Sequence, residues 1–430
     1  MEAKIINQDL NSIKIEIEIL ITRSMLTTED NIQHAVNSVG RLATEYSLAQ
    51  FDTDGSPIKV CGNTYTSKGL VPKIYQTPYG EANIERHVYQ SNQGGITFCP
   101  LEKEARIIVG STPKFAKMVS SKYSNTSAIS VMDDLSENHG RYISRTYIQD
   151  ISEAVAKTIQ EKSEKWEYTV PVSEEDASVI GISLDGTCML MVNDGYRVAM
   201  VGAISIYDKE GERLYTHYTS STPEYGKAAF YKEFDKEIKR IQRLYPNAKS
   251  VGVADGAKDN WTFLSNYTQI HILDYFHATE YLAKVAENGF KEKWKGKNWL
   301  NDARHKLKHE KNGAKEILKE IKSFRTKKIS SIKMKKIESS ITYFENHLQQ
   351  MDYNKYQKNK YPIGSGVIES ACGVIIKQRL CNSGMRWKED GAKTVLCLRC
   401  INQSDGKWSQ VWNKIIELGT YAIIKIKQNH

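Results

Sequence analysis

Asp-Gly pairs occur at Asp54, Asp185, Asp194, Asp255, Asp390 and Asp405, and an isolated pair of that kind predicts little more than a turn. Two of them differ in where they fall. Asp185 closes the strand-like run SVIGISLDG and Asp255 closes KSVGVADG, so both carboxylates are expected at strand ends. A third acid, Glu369, opens the helical stretch VIESACGVIIKQRL. Helical spacing sets it in line with Cys372, Gly373, Ile376 and Leu380, while Lys377, Gln378 and Arg379 take the other side. An acid at the head of an apolar stripe is unusual, because buried acids are rare unless paired or metal-bound. Close carboxylates repel unless cations lie between them, and hard oxygen ligands favour Mg²⁺ or Mn²⁺. Two ions held by Asp185, Asp255 and Glu369 would clamp a scissile phosphate, one lowering the pKa of an attacking water and the other stabilising the leaving 3′-oxygen. These three residues are therefore the expected catalytic residues and metal ligands. Asp274 and His277 form a D-x-x-H pair, for which a helix N-cap and a satisfied histidine are a sufficient account. Asp274 could serve as the second catalytic aspartate, but the strand count favours Asp255.

The elements that must position these acids lie mostly between residues 175 and 290. SVIGISLDG, RVAMVGAISIYD and ERLYTHYTS read as strands, with Asn193-Asp194-Gly195 a hairpin signal between the first two. A long amphipathic helix, the strand KSVGVADG, a short helix near DNWTFLSN, the strand QIHILD and the helix YFHATEYLAKVAE follow. The order β-β-β-α-β-α-β-α is the ribonuclease H-like (RNase H-like) arrangement, an α/β fold whose first and fourth strands are neighbours. Residues 291–360 read as a basic helical insertion, and residues 361–402 carry the Glu369 helix that completes the core. Upstream, residues 1–56 read as helical and 57–110 as a small β-meander. Residues 111–165 read as three helices in a helix-turn-helix arrangement, with Ser144 capping the last. In such a unit Arg145, Thr146 and Gln149 would face base edges, and a helical linker packed on its neighbours is an equal alternative. Residues 403–430 read as a C-terminal tail.

Composition narrows the function classes. The chain has 430 residues, of which 40% are hydrophobic and 26% charged, which excludes a disordered chain or a disulfide-stapled miniprotein. No apolar run approaches the roughly 18 residues that would span a bilayer, so a soluble, unexported protein is expected. Seven scattered cysteines suggest a reducing compartment. The one close pair, Cys397 and Cys400, falls in an apolar helical segment and reads as buried thiols rather than a zinc site. The net charge of +9 is unevenly placed. Residues 291–336 hold about 17 Lys or Arg against about 5 Asp or Glu, so the remainder is slightly acidic. Such a block, interrupted by Trp294, Trp299 and Phe324, suits phosphate contact with some stacking, and a solvated lysine-rich helical face is the plainer alternative. Arg304, Lys306 and Lys308 are its representative phosphate contacts.

The stretches SLDGT, VADGAKDNW, ILDYFHATEYL and PIGSGVIESACGVIIKQRL, followed by CNSGMRW, resemble the bacterial insertion-sequence transposases of the ISKra type, relatives of the Mutator-like group. The resemblance extends to QTPYGEANIERHVYQ and FCPLE and covers residues 60–402. It implies a DDE transposase with Asp185, Asp255 and Glu369 as its triad and two Mg²⁺ (or Mn²⁺) ions as cofactors. Asp274 and His277 would be a structural or DNA-organising D-x-x-H element. Its partners would be double-stranded DNA, both transposon ends and target, and a second copy of the chain or a higher oligomer, with no membrane. The implied setting is the bacterial cytoplasm, at the nucleoid. Arg386 and Trp387, just after the glutamate helix, would contact or wedge DNA near the cleavage point, against ordinary packing for Trp387. Two other readings keep the fold: an RNase H-like nuclease or resolvase without strand transfer, and a domesticated, catalytically silent DNA-binding protein.

Overall fold

A computed structural model describes residues 3–9, 11–60, 62–162, 166–223 and 227–419. It is a mixed α/β chain that divides into two compact units. One holds the residues up to Tyr168 together with Cys397–Asn402 and the chain from Lys407 on, and the other holds Thr169–Leu396 with Gln403–Gly406.

The first unit opens on a hairpin of β1 (Lys4–Gln8) and β2 (Ile13–Glu16), which corrects the helical reading of residues 1–56 at its start. IKIEIEI alternates apolar and charged residues with a period of two, the repeat of a strand. Asp9 closes the turn, its carboxylate accepting from the Asn11 and Ser12 amides at 2.8 Å each. Helix α1 (Met25–Ala49) follows, with Ser24 as its N-cap. The expected meander is β3 (Ile58–Val60), β4 (Asn63–Thr77) and β5 (Gly80–Ser91), all antiparallel. After a short α2 (Pro100–Glu104) come the three expected helices, α3 (Pro113–Asn125), α4 (Ala128–His139) and α5 (Arg145–Lys162). Gly140, at φ +60°, ends α4, and Ser144 caps α5 by accepting from the Tyr147 amide at 3.2 Å. Ile148, Ile151, Val155 and Ile159 recur at helical spacing and give α5 its buried face.

The second unit is built on a five-stranded sheet of β6 (Val179–Met191), β7 (Gly195–Tyr207), β8 (Arg213–Ser221), β9 (Lys249–Ala254) and β10 (Ile270–Leu273). Its spatial order is β10-β9-β6-β7-β8. β7 runs antiparallel to β6 and β8, whereas β9 and β10 run parallel to β6. The β6–β7 hairpin turns at the predicted place, with Asn193 and Gly195 in the left-handed region at φ 66° and 67°. Helix α6 (Ala228–Leu244) lays Phe230, Phe234, Ile238 and Ile241 into the core. Gly202 on β7 makes that approach possible, since a Cβ there would stand 2.5 Å from the Phe234 ring. Between the parallel strands runs α7 (Lys258–Leu264), and α8 (Tyr275–Gly289) follows β10.

The basic segment forms α9 (Lys293–His309), α10 (Gly313–Lys322), α11 (Ser331–His347) and α12 (Tyr353–Lys358). It shares the core of the sheet: Leu307, Ile317, Ile321, Ile337 and Phe344 belong to the same buried cluster as Ile182, Ile204, Val251 and Leu282. Helix α13 then runs from Gly366–Ala371 through a π turn, Cys372–Lys377, into Gln378–Leu380. Two further helices are α14 (Glu389–Gln403) and α15 (Lys407–Leu418). The expected tail at 403–430 is thus helical in its first half, where Val411, Trp412 and Ile415 are buried, and residues 420–430 lie outside the described residues. No described helix is long and apolar enough to cross a membrane.

Candidate active site

Asp185 and Asp255 come together. β6 and β9 pair in parallel from Val179↔Lys249 to Ile182↔Gly252, and each aspartate lies three residues beyond the last pair, at the same level where the strands part. Asp255 does follow the end of its strand. Asp185 does not, because β7 continues to pair with β6 as far as Met191↔Gly195, and the expected strand end at Asp185 is corrected to a position inside a 13-residue strand. Pairing along a whole edge outweighs the local turn preference of Asp-Gly.

Both carboxylates are half-buried. Asp185 Oδ1 accepts from the Gly186 amide at 2.6 Å, and Oδ2 lies 3.8 Å from the Cys372 thiol. Burial pushes the Asp185 carboxyl above its ordinary range; the Gly186 amide opposes this and the Asp255 charge adds to it. Burial also pushes the Cys372 thiol up to about 11, so it remains a neutral weak donor. Asp255 Oδ1 accepts from the Ala257 amide at 3.1 Å and the Asn260 side-chain amide at 3.4 Å.

Asn260 was not singled out in the sequence. Its side chain is 4% exposed, and its Nδ2 also reaches the carbonyl of Leu184, 3.5 Å away, so it bridges the strand of one aspartate to the carboxylate of the other. Its Oδ1 is buried and has no partner among the described residues. Asp185 and Asp255 offer the hard carboxylate oxygens that suit Mg²⁺ or Mn²⁺, and Asp255 Oδ2 and the unpartnered Asn260 Oδ1 leave oxygen donors there without a described hydrogen bond.

Glu369 is placed otherwise than its spacing suggested. It is exposed on α13, one turn before Cys372, and the buried side of that helix consists of Ile368, Ala371, Cys372, Ile375, Ile376, Arg379 and Leu380. The buried residues recur at regular helical spacing from Ile368, so the stripe is centred one residue before the expected one, which buries Arg379 at 2% exposure and leaves Gly373 half-buried. The helix brings Cys372 to Asp185, but no three His, Cys, Asp or Glu side chains among the described residues are gathered closely enough to hold a metal ion.

Asp274 is 1% exposed and caps α8, its Oδ1 accepting from the Phe276 amide at 2.9 Å. The same oxygen accepts from the Ser365 amide at 3.2 Å, while Oδ2 accepts from the Ser365 hydroxyl and faces His277 Nδ1 at 3.0 Å. Ser365 immediately precedes α13, so the D-x-x-H element ties the end of β10 to the start of the glutamate helix. The Tyr275 amide adds a bond to the Ile363 carbonyl at 2.9 Å. Burial pulls the His277 imidazole down, but Asp274, Glu280 and Asp255 reverse this, and its pKa lies above the ordinary value.

The expected DNA contacts are dispersed. Arg145 and Thr146 are exposed at the start of α5, with Gln149 half-buried beside them. Arg304 is exposed, Lys306 pairs with Glu320, and Lys308 lies 5.8 Å from the Tyr275 ring centre. Trp294 is exposed, but Trp299 and Phe324 pack with Phe290 and are structural, which corrects their reading as stacking residues. Arg386 is exposed. Trp387 is half-buried, its indole donating to the Leu380 carbonyl at 2.9 Å and its ring 5.2 Å from the Arg379 guanidinium, an arrangement that packing accounts for. Cys400 is buried and Cys397 half-buried. No protein-family model matches the chain, and no curated protein matches it.

Proposed function

We infer that the chain is a DDE-type DNA transposase with an RNase H-like catalytic core. The observation that carries this reading is the pairing of Asp185 and Asp255 at one level on neighbouring parallel strands, bridged by Asn260. The sheet supports it: numbered within the sheet, the strands lie in the order 3-2-1-4-5 with only the second antiparallel, the order that places the first and fourth strands side by side. The basic insertion packed on that core supports a polyanionic partner.

In this reading Asp185 and Asp255 would hold divalent cations, with Glu369 of α13 as the third acid. Such ions would supply an activated water and stabilise the leaving 3′-oxygen at the first cut. The chain's own residues supply position: Asn260 keeps the two aspartates in register, and the Asp274–Ser365 clamp fixes the start of the glutamate helix. The lysines of α9 and α10 hold the DNA backbone against the site. The freed 3′-OH would then take the place of water as nucleophile at a target phosphate, forming a new P–O bond as the target strand's own 3′-oxygen leaves. No protein nucleophile is required.

The test is a plasmid carrying the gene with its flanks, incubated with pure protein and Mg²⁺. Cleavage at two flanking positions, lost in Asp185→Asn and Asp255→Asn proteins that still bind the DNA, is the expected result. Cutting by both variants at the native rate rejects the assignment.

A further inference from the structure

The turn that carries Asp255 is held from outside the sheet, by the helical insertion. Tyr343 on α11 donates its hydroxyl to the main-chain carbonyl of Asp255 at 2.9 Å. Its ring lies flat on Tyr281 of α8, with centroids 3.7 Å apart and planes 9° from parallel. The Lys284 ammonium stands 3.8 Å from the Tyr281 ring centre, and since Tyr343 covers one face, the cation must cover the other. One turn along α11, His347 packs against Tyr343 at 4.9 Å, and its Nε2 lies 3.0 Å from where a Cβ on Gly256 would stand. Gly256 has φ +105°, a conformation that side chains rarely adopt, so the residue after Asp255 is both strained for other side chains and walled in. His347 is fixed in turn by Gln350 at 2.9 Å.

We propose that Tyr343 is a positioning residue for the metal site, through which the insertion fixes the backbone of Asp255 and thereby the direction of its carboxylate. The inference rests on the reading of Asp185 and Asp255 as cation ligands. The hydroxyl fixes the Asp255 main chain from the insertion side, while the Ala257 amide and Asn260 fix carboxylate Oδ1 from the α7 side, so backbone and side chain of the residue are each held.

Tyr343→Phe removes one hydroxyl and keeps the stack. Titration with Mn²⁺ alone, followed by water-proton relaxation, should show affinity about fivefold weaker than the native protein, the loss expected of one net hydrogen bond. The Mg²⁺ concentration for half-maximal DNA cleavage should rise in step, while DNA affinity without divalent ions stays unchanged. Tyr281→Phe, which keeps the same stack and touches no backbone of the site, should behave as native. A folded Tyr343→Phe protein with native Mn²⁺ affinity overturns the proposal. If Asp185→Asn fails to weaken Mn²⁺ binding in the same titration, the underlying reading falls with it; if Asp185→Asn weakens it and Tyr343→Phe does not, the positioning role alone is lost.

Discussion

Replacing Asp274 separates a structural role for the D-x-x-H element from a catalytic one. Its carboxylate satisfies the Phe276 amide, the Ser365 amide and hydroxyl, and His277, all at a residue 1% exposed. Asp274→Ala removes an N-cap, which costs about 1 kcal/mol. It also leaves two Ser365 donors without their partner, each costing about 1 kcal/mol or more where water does not reach. The sum is about 3 kcal/mol. Asp274→Asn keeps an acceptor for the two amides and loses only the charged contacts, so about 1 kcal/mol is expected. With an unfolding slope of about 3 kcal/mol per molar urea, Asp274→Ala should lower the urea midpoint by about 1 M and Asp274→Asn by about a third of that. Hydrogen exchange at the Ser365 and Phe276 amides should accelerate in step in the Ala protein. An Ala variant with the native midpoint and native exchange at Ser365 would refute the clamp and return Asp274 to the candidates for catalysis.

Other consequences can be measured on the same protein. Burial raises the Asp185 carboxyl in the folded chain, so the native state binds that proton more tightly than the unfolded state, whose carboxyl keeps its ordinary value of 3.8. The stability this protonation confers is lost as pH rises through the native pKa, and Asp185→Asn should not show that loss. Thermal melts in chelator at several pH values should find the Asn variant gaining on the native protein with rising pH; the opposite trend contradicts the assignment of burial as the cause. Gly202→Ala drives a methyl group into the Phe234 ring and should cost about 1 to 3 kcal/mol in unfolding free energy, with a Phe234→Leu partner change recovering part of it. Arg304→Gln should weaken binding to all DNA sequences alike and make the salt dependence shallower by about one unit of slope, as fluorescence anisotropy at several salt concentrations would show.

The central sheet was legible because its signals are local and agree with one another. The Asn193-Asp194-Gly195 turn, the alternation of later strands with amphipathic helices and the strand level of Asp255 each follow from a short stretch of sequence. The first strands were not, because a helical prior for the N-terminus hid the two-residue period of IKIEIEI. Asp185 lies inside its strand rather than at its end, because the turn preference of a single Asp-Gly pair is outweighed by β7 pairing on as far as Met191↔Gly195. The Glu369 stripe is centred one residue off: the helix buries Ile368, Ala371, Cys372, Ile375 and Arg379 at regular spacing, which turns Arg379 inward and leaves the acid outside, and a buried arginine is not expected from its type. Asn260 and Tyr343 carried no signal, because a buried amide and a hydroxyl that bonds a carbonyl 88 residues away are properties of the folded chain alone. Trp299 and Phe324 look like stacking residues in a basic run and prove to be the apolar side of its helices.

What Glu369 and the two aspartates do to DNA is the most direct test of the proposed activity. Purified protein should be given labelled duplexes from both flanks of its own gene, with Mg²⁺, with Ca²⁺, and as Glu369→Gln in Mg²⁺. The predicted result is site-specific nicks and joined strands in Mg²⁺, absent in Ca²⁺ and in the variant. Nicks without joined strands would contradict strand transfer and leave a nuclease, and native products from Glu369→Gln would remove Glu369 from the site.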